Sequence, residues 1–185
     1  MIRGDSGEYD LLTKWANFDC EGNYSCEIGV REGLGSKIIM DNIKNNFIHI
    51  GVDPYGNLNY QHYDTSPSYT ADYTDEMRDR LIEDMKPYAG KFHLANMTDT
   101  LFMCHPEYNE KKYAFVHFDG PHMTRDVITE AVWFANRAAG NCRFVFDDYP
   151  KYNMQLISDT LKPFGFSVME QGRNKICLEN QNTSH

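Results

Sequence analysis

The sequence predicts an α/β protein: a single doubly wound, mostly parallel sheet of seven strands that ends in an antiparallel hairpin. Two observations support this prediction. Short β-like runs alternate with helical segments along the chain, as they do in sheets built from β-α units. The last two runs, 166–170 and 175–179, are separated by only four residues. Such a connection is too short for a parallel crossover, so these two strands must pair as a hairpin.

The predicted elements alternate from the N-terminus onward. They are a helix over 9–18 within an N-terminal helical segment (1–25), strand 26–30, helix 34–44, strand 47–53, helix 75–88, strand 91–96, strand 113–119, a helix from 127, strand 142–147 and a helix over 152–161. Asp53-Pro54 ends the second strand, because proline cannot donate to the ladder. Thr74 is a typical N-cap for the helix that follows it. The segment 97–112 is predicted as a loop or a short helix.

The helix from Val127 follows the i, i+4, i+7 spacing of a helix packed on a sheet, and Ala139-Gly140-Asn141 is predicted to end it. The segment 55–73 has no such periodicity. It carries five tyrosines among Asn, Asp, Ser and Pro residues. A long irregular segment in a compact domain is typical of a lid or of disorder, and we keep both interpretations.

Composition and charge restrict the function. At 185 residues the chain is predicted to be a single domain, 1–185. Its formal net charge of -9 argues against a nucleic-acid partner, which needs a basic face. The five cysteines show no ligand spacing, and no apolar run or leader-like start is present, which predicts a cytoplasmic protein without a membrane span. Whether it forms a homo-oligomer stays open.

The predicted strands end at carboxylates or at glycines. Glu27 and Gly29 lie at the end of the first strand, and the turn continues through Gly33 and Gly35 into a helix. Asp53, 18 positions after Gly35, ends the next strand, where a carboxylate can accept hydrogen bonds from ribose hydroxyls. The two features together predict a nucleoside-containing cofactor. The plain alternative is a tight β-α turn with no ligand.

A second acidic group follows the fourth and fifth strands. Asp119 should lie near Asp147 and Asp148, because these strands are expected to be neighbours. Three unpaired carboxylates would raise one another's pKa, and Mg²⁺ would remove that repulsion. His122 lies in Asp-Gly-Pro-His and has the chemistry of a general base. The plain alternative is that the aspartates cap turns and that His122 is a surface residue.

These motifs carry a resemblance to a known family. Glu-Ile-Gly-Val, Val-Asp-Pro, Phe-Asp-Gly-Pro-His and Phe-Val-Phe-Asp-Asp-Tyr resemble class I S-adenosylmethionine-dependent methyltransferases, and are similar to the metal-dependent macrocin-type O-methyltransferases. The resemblance covers about 24–179 and implies a Rossmann-like fold. It implies that Asp119, Asp147 and Asp148 bind magnesium, and that Asp119 and His122 take part in catalysis. The residues implied to contact the cofactor are Glu27, Gly29, Gly33, Asp53, Met97, Thr98 and Asp119.

The resulting hypothesis is methyl transfer from S-adenosylmethionine to a hydroxyl of a small molecule of the sugar or diol type, assisted by magnesium. An NAD(P)-dependent oxidoreductase is the first alternative, because Asp53 would suit either ribose. A non-catalytic binding protein on a methyltransferase scaffold is the second. One departure from the family is that Asn96-Met97-Thr98-Asp99 stands where Gly-Asp-Ser is common.

Overall fold

A computed structural model describes residues 2–20, 22–44 and 46–180. The strands are β1 (Tyr24–Ile28), β2 (Ile48–Val52), β3 (Asn59–Gln61), β4 (Ser68–Thr70), β5 (Phe92–Ala95), β6 (Tyr113–Phe118), β7 (Ala138–Phe146), β8 (Phe166–Gln171) and β9 (Ile176–Asn180). The helices are α1 (Tyr9–Ala16), α2 (Leu34–Asn42), α3 (Asp75–Asp84), α4 (Asp99–Cys104), α5 (Pro106–Asn109), α6 (Thr124–Ala135) and α7 (Met154–Leu161). Short 3₁₀ turns occur at Lys86–Tyr88, Tyr149–Lys151 and Lys162–Phe164.

Seven strands form one sheet in the order β5-β2-β1-β6-β7-β9-β8. The first five strands of that order pair in parallel, and β9 is antiparallel to both of its neighbours. This confirms the predicted fold, including the C-terminal hairpin and the pairing of β6 with β7. No helix in the described part of the chain is long and apolar enough to cross a membrane.

The core lies on both faces of the sheet, as expected when helices cover a parallel sheet. All six residues of β6 are buried, which fits its central place in the strand order. Val116 and Phe118 join Phe134 of α6 in one cluster, and Phe115 joins Trp15 of α1 in the other. Burial on both faces makes this strand a rigid support for the residues that follow it.

Two predicted elements differ in the structure. Helix α6 ends at Ala135, and Ala138 already belongs to β7, where it pairs with Tyr113. The predicted helix end at 139–141 is therefore wrong, because strand pairing takes these residues and Asn141 adopts a positive φ of 61°. The segment 55–73 is not irregular throughout, because β3 and β4 form a two-stranded antiparallel hairpin within it.

The predicted N-cap of α3 is confirmed. The Thr74 hydroxyl accepts a hydrogen bond from the Met77 amide at 3.2 Å. Thr98 makes the same contact at the start of α4, where its hydroxyl accepts from the Leu101 amide at 3.2 Å. The segment 97–112 therefore holds two short helices, α4 and α5, and lies beside the sheet edge formed by β5.

Candidate functional site

The carboxyl ends of four central strands meet at one edge of the sheet. Ile28 of β1 pairs with Val52 of β2 and with Phe118 of β6, and Phe118 pairs with Phe146 of β7. The residues that follow these four positions therefore lie next to one another. Ligands bind at this edge in open α/β sheets, so the register brings the predicted polar residues to the expected place.

Two adjoining cavities open at this edge. The larger has a volume of about 570 Å³ and the smaller about 230 Å³. They share Gly29, His62, Ala71, Tyr73 and Asp119 in their walls. The larger cavity is also lined by Glu27, His122, Asp147, Asp148 and Lys151. The smaller is also lined by Asp53, Pro54, Leu58, Tyr60, Thr98 and Pro121. A polar chamber and a more apolar one thus adjoin across a common wall.

The turn after β1 needs glycine at one position for a clear reason. Gly29 has a φ of 85°, and a Cβ there would lie 2.2 Å from the Asp119 carbonyl oxygen. Backbone from β1 and β6 can therefore approach closely at the wall that the two cavities share. Gly33, the N-cap of α2, faces Leu81 and Met85 rather than either cavity. Gly33 lines neither cavity, so its cofactor contact stays a prediction.

Asp53 presents a free oxygen to the smaller cavity. Its Oδ2 accepts hydrogen bonds from the amides of Val30 at 3.0 Å and Arg31 at 2.8 Å. Its Oδ1 is buried and has no hydrogen-bond partner in the described part of the chain. Burial raises the pKa of Asp53 to about 6, against the opposing effect of the two amides. A buried acceptor without a partner costs free energy, and a ligand hydroxyl would satisfy it.

The two residues predicted at the adenine separate in the structure. Thr98 lines the smaller cavity beside Pro54 and Pro121. Met97 instead packs against the core cluster that contains Phe102. Thr98 therefore lines the smaller cavity, whereas Met97 lines neither cavity and its cofactor contact stays a prediction.

The carboxylates after β6 and β7 are neutralised by a buried lysine. The Lys175 ammonium is 0% exposed and lies 2.7 Å from Asp147 Oδ1. It also donates to the Ser6 hydroxyl at 2.6 Å, and that hydroxyl donates to Asp147 Oδ2 at 2.6 Å. Although burial alone would raise the pKa of Asp147, Lys175 and a hydrogen bond with Asp119 hold it well below its usual range.

The pKa of Asp119 is shifted in the opposite direction. Burial and the neighbouring Asp147 charge raise the pKa of Asp119 well above its usual range, and the two carboxyl groups share a hydrogen bond. The expectation that neighbouring carboxylates raise one another's pKa therefore holds at Asp119. It does not hold at Asp147, where Lys175 keeps the pKa low, or at Asp148, where the Tyr63 and Lys151 hydrogen bonds lower it.

Asp148 belongs to a different part of the site. Its backbone is left-handed, with a φ of 50°. Its Oδ2 accepts from the Tyr63 hydroxyl at 2.6 Å and from the Lys151 ammonium at 2.9 Å. Two sets of three potential ligands lie within 4.8 Å of one another among the described residues: His62, His122 and Asp148, and Glu27, His117 and Asp119. The predicted magnesium set of Asp119, Asp147 and Asp148 is not among them.

His122 lies in the wall of the larger cavity, 2% exposed. Its ring stacks between Tyr63, at a centroid distance of 5.8 Å, and Tyr152, at 5.5 Å. Its Nδ1 lies 3.2 Å from His62 Nε2. Burial, and then the neighbouring His62, lowers the pKa of His122 to about 4, so the imidazole is neutral at pH 7.

A buried polar chain runs beneath the larger cavity. Glu27, 1% exposed, accepts from the Ser36 hydroxyl, and its other oxygen lies 2.8 Å from His117 Nδ1. His117 Nε2 lies 3.3 Å from the Lys175 ammonium. His117 therefore hydrogen-bonds within the sheet, as expected from its place in a strand, and links the carboxylate of β1 to Lys175.

Sequence reasoning missed two residues of this site. Lys175 begins the second strand of the final hairpin, and nothing in its local pattern distinguishes it from an exposed lysine. His62 lies among the tyrosines of 55–73, where the absence of periodicity hides which side chains point inward. The one available signal was the concentration of aromatic residues around His62, which is typical of a contact surface.

The polar groups of the site fit one of the two implied cofactors. The free Asp53 oxygen, the hydroxyl of Thr98 and the close backbone approach at Gly29 fit an adenosine-containing molecule. Magnesium does not fit the predicted carboxylates, because the Lys175 ammonium already pairs with Asp147 and because the three carboxylates do not all lie within 4.8 Å of one another.

Comparisons with known proteins agree with this geometry. The chain matches the family model described as "Methyltransferase domain" over residues 26–149. A search of curated proteins found no relative that matches the chain. Solved structures share the fold, among them a Corynebacterium glutamicum protein with a TM-score of 0.67 and 13% identity, covering 98% of this chain and 84% of that one.

Two further neighbours have described activities. The O-methyltransferase from Bacillus cereus in complex with SAH has a TM-score of 0.61 and 7% identity, covering 96% of this chain and 82% of that one. The N-methyltransferase NodS from Bradyrhizobium japonicum has a TM-score of 0.57 and 10% identity, covering 92% and 90%. At such identities the likeness shows the fold alone. The family match, which spans the glycine turn and all the acidic strand ends, shows that the chain belongs to the methyltransferase domain family and is a class I S-adenosylmethionine-dependent methyltransferase.

Proposed function

We propose that the chain transfers the methyl group of S-adenosylmethionine to a hydroxyl oxygen of a small polar molecule. The observation that carries this proposal is the pair of adjoining cavities with a common wall at Gly29 and Asp119. A methyltransferase must bring a nucleoside cofactor and its acceptor into contact. The smaller cavity suits the nucleoside, and the larger suits an acceptor with several hydroxyls.

The residues of the smaller cavity would hold the adenosine. Asp53 Oδ1 has no partner and would accept from the ribose, while Leu58, Pro54 and Pro121 offer apolar surface to the base. Thr98 has a hydroxyl at the same cavity. When bound, S-adenosylmethionine supplies an electrophilic methyl group on a sulfonium. Glu27, at the wall of the larger cavity, is the nearest buried carboxylate for its methionine part.

His122 is the proposed base for the acceptor. Its neutral imidazole has one nitrogen, Nε2, that is buried and without a partner among the described residues. A hydroxyl must lose its proton as it gains a methyl group, and a neutral imidazole can take that proton. Asp119, whose pKa is raised by burial and by the Asp147 charge, would orient the acceptor by hydrogen bonding.

The larger cavity also limits the size of the acceptor. Residues Arg3 to Gly7 and Tyr9 contribute to its wall, and the Asp5 carboxylate pairs with Arg31 there. Lys151 and Asn174 complete the polar lining. A molecule with several hydroxyls, such as a sugar or a diol, matches donors and acceptors of this kind. Magnesium assistance, which the resemblance implies, has no set of carboxylates to support it here.

The test is methyl transfer to a panel of sugars, diols and catechols with S-adenosylmethionine carrying a labelled methyl group, followed by mass spectrometry of the product. We expect a methyl ether, formed equally well with and without added Mg²⁺. His122→Asn should lower kcat by about 100-fold or more. His93→Ala is the matched control, because His93 is exposed and lies outside both cavities.

Two outcomes would contradict the proposal. A product that carries the labelled methyl group on a nitrogen or carbon atom would show that the acceptor is not a hydroxyl. Tight binding of S-adenosylhomocysteine without turnover on any member of the panel would instead favour a non-catalytic binding protein on this scaffold.

A further inference from the structure

Three side chains from separate segments converge at the wall of the larger cavity. His62 Nε2 faces His122 Nδ1 at 3.2 Å, and a carboxylate oxygen of Asp148 lies within 4.8 Å of the ligand atoms of both. His62 follows β3, His122 precedes α6, and Asp148 follows β7. The backbones of His62 and His122 are joined, because the His122 amide donates to the His62 carbonyl at 2.7 Å.

The two imidazoles are packed inside the site and face each other through one nitrogen each, His62 Nε2 and His122 Nδ1. His122 is 2% exposed, and the outer nitrogens, His122 Nε2 and His62 Nδ1, have no hydrogen-bond partner among the described residues. In the absence of an ion the two facing nitrogens can share only one proton, and an ion bound between them would take the place of that proton. Neutral imidazole is the form that binds a metal ion.

We propose that His62, His122 and Asp148 form a binding site for a transition-metal ion of the zinc, cobalt or manganese class. Two imidazole nitrogens about 2.0–2.1 Å from one ion lie roughly 2.9–3.4 Å apart in octahedral or tetrahedral geometry. The observed 3.2 Å falls within that range. Imidazole nitrogen selects this class of ion, whereas Mg²⁺ prefers oxygen ligands.

Neighbouring residues hold these ligands in place. The rings of Tyr63 and Tyr152 lie nearly parallel to His122, at interplanar angles of 14° and 9°, and restrict its rotation. The Tyr63 hydroxyl donates to Asp148 Oδ2 at 2.6 Å. Such supporting contacts orient metal ligands in known sites. Lys151 also contacts Asp148, but its side chain is 53% exposed and can turn to solvent when a cation binds.

The site differs from the one that the sequence predicts. Only Asp148 is common to both, and the two histidines replace Asp119 and Asp147. Three protein ligands leave a coordination position open toward the cavity. An ion there would lower the pKa of an acceptor hydroxyl. In the metal-loaded protein His122 would be a ligand and not a base, so the two roles of His122 are alternatives.

The test measures metal binding alone, without S-adenosylmethionine, and so does not depend on the proposed methyl transfer. Chelator-treated full-length protein is titrated with Co²⁺, and the visible ligand-field absorption is followed; Zn²⁺ and Mg²⁺ are then added as competitors. Exposed Cys104 lies next to His105 and could bind the same ions, so every protein carries Cys104→Ser. His62→Ala and Asp148→Asn are compared with His93→Ala, whose histidine lies outside the site.

We expect one Co²⁺ per chain in the Cys104→Ser protein, displaced by Zn²⁺ and not by Mg²⁺. His62→Ala and Asp148→Asn should each weaken binding at least about tenfold, and His93→Ala should not. Circular dichroism checks that each variant is folded, and the half-exposed Asp148 makes Asp148→Asn the safer of the two. An absent absorption band, a band that survives both substitutions, or displacement by Mg²⁺ as effective as that by Zn²⁺ would each overturn the proposal.

Discussion

Lys175 is the residue on which the acidic part of the site depends. Its ammonium is fully buried and lies among Asp147, Ser6 and His117, and Asp147 also shares a hydrogen bond with Asp119. Burying an ammonium costs several kcal/mol unless a paired charge and hydrogen bonds offset that cost. Here both are present. The lysine thus fixes the charge of the carboxylates that the sequence assigns to a metal ion.

Substitution of Lys175 should therefore destabilise the fold, because the buried carboxylates depend on its charge. Lys175→Met leaves Asp147 buried without its counter-charge, and we expect the free energy of unfolding to fall by about 3–5 kcal/mol in urea titrations. Adding Asp147→Asn to the same chain should recover part of this loss, since the uncompensated charge is then absent. Lys14→Met, which removes an exposed pair with Glu170, is the control and should change little. An equal loss in both single variants would mean that the pairing of Lys175 is unimportant.

Asp53 makes stability depend on pH. Its pKa is raised to about 6 in the folded protein, from an ordinary value of 3.8, because the carboxyl is buried. The folded state then binds its proton more tightly than the unfolded state, so this group stabilises the protein below about pH 4 and the contribution is lost as pH rises through about 6. Relative to Asp53→Asn, wild-type protein should lose about 2–2.5 kcal/mol between pH 4 and pH 7. Urea unfolding of both proteins at four pH values measures this, and a constant difference would contradict the raised pKa.

The position of a site residue could be predicted from the sequence when that residue lies at the end of a strand. Asp53, Asp119, Asp147 and Glu27 all lie at the predicted edge because parallel register brings strand ends together. Sequence reasoning failed for their protonation and pairing. Those depend on Lys175, which is separated from Asp147 by 28 residues and comes from the terminal hairpin. Pairing of that kind is set by tertiary structure and leaves no local pattern.

At the scale of elements, the β3–β4 hairpin determines how closed the site is. Leu58, Tyr60, Ala71 and Tyr73 from the hairpin and its flanks line the smaller cavity. His62 and Tyr63 reach the larger one. The hairpin pairs with no strand of the main sheet among the described residues. Its tip is attached to the domain, because the His122 amide donates to the His62 carbonyl and Thr124 donates to Asp64. The hydrogen bond between Ala71 and Leu58 lies at the other end of the hairpin.

We expect this hairpin to behave as the lid that the sequence suggests. Adding S-adenosylhomocysteine should slow amide hydrogen exchange in 58–71. A ligand in the smaller cavity would contact Leu58 and Ala71, and this contact would stabilise the hydrogen bond of 2.9 Å from the Ala71 amide to the Leu58 carbonyl. Strand β8, which lines neither cavity, serves as the internal control. Unchanged exchange across 58–71 at saturating ligand would show that the hairpin is not a lid for this cofactor.

The two threonine caps form a matched pair. Thr74 and Thr98 each accept an amide hydrogen bond of 3.2 Å at a helix start, but only Thr98 lines the smaller cavity. Alanine at either position should cost about 1 kcal/mol of stability. Thr98→Ala alone should also weaken S-adenosylhomocysteine binding, by roughly two- to tenfold, as expected for one hydrogen bond. Calorimetry measures the affinity, and an equal change in both variants would trace the effect to helix stability instead.

Helices and strands were predicted best where the hydrophobic periodicity and the residues at their ends indicate the same boundaries. The Thr74 cap and the final hairpin were both predicted correctly. The end of α6 was not, because Ala138 to Asn141 look like a helix terminus but belong to β7, in which Ala138 pairs with Tyr113 of β6. Partner strands decide such boundaries. The hairpin within 55–73 escaped prediction for a similar reason, since its two strands are only three residues long.

At the scale of the whole molecule, the strand order explains why one chain builds two cavities. The carboxyl ends of β2 and β5 flank the smaller cavity through Asp53 and Thr98, while those of β6 and β7 flank the larger through Asp119 and Asp147. β1 lies between the two pairs, and Gly29 at its end belongs to both walls. The strand order therefore places the two cavities side by side, with Gly29 and Asp119 of the sheet edge in the wall that they share.

This division predicts that the fold is stabilised selectively by its cofactor. A ligand that binds only the folded state at 100 times its Kd raises the free energy of unfolding by about 2.7 kcal/mol. For a domain of this size that corresponds to roughly 5–10 °C in Tm. S-adenosylhomocysteine should raise Tm by this amount, and NAD at the same concentration should not. Asp53→Ala should reduce the rise in Tm with S-adenosylhomocysteine, because the substitution removes the free Oδ1. Scanning calorimetry over a concentration series measures all three. An equal shift with NAD would contradict the assignment of the smaller cavity to an adenosine of the S-adenosylmethionine type, since a dinucleotide would then be bound as well.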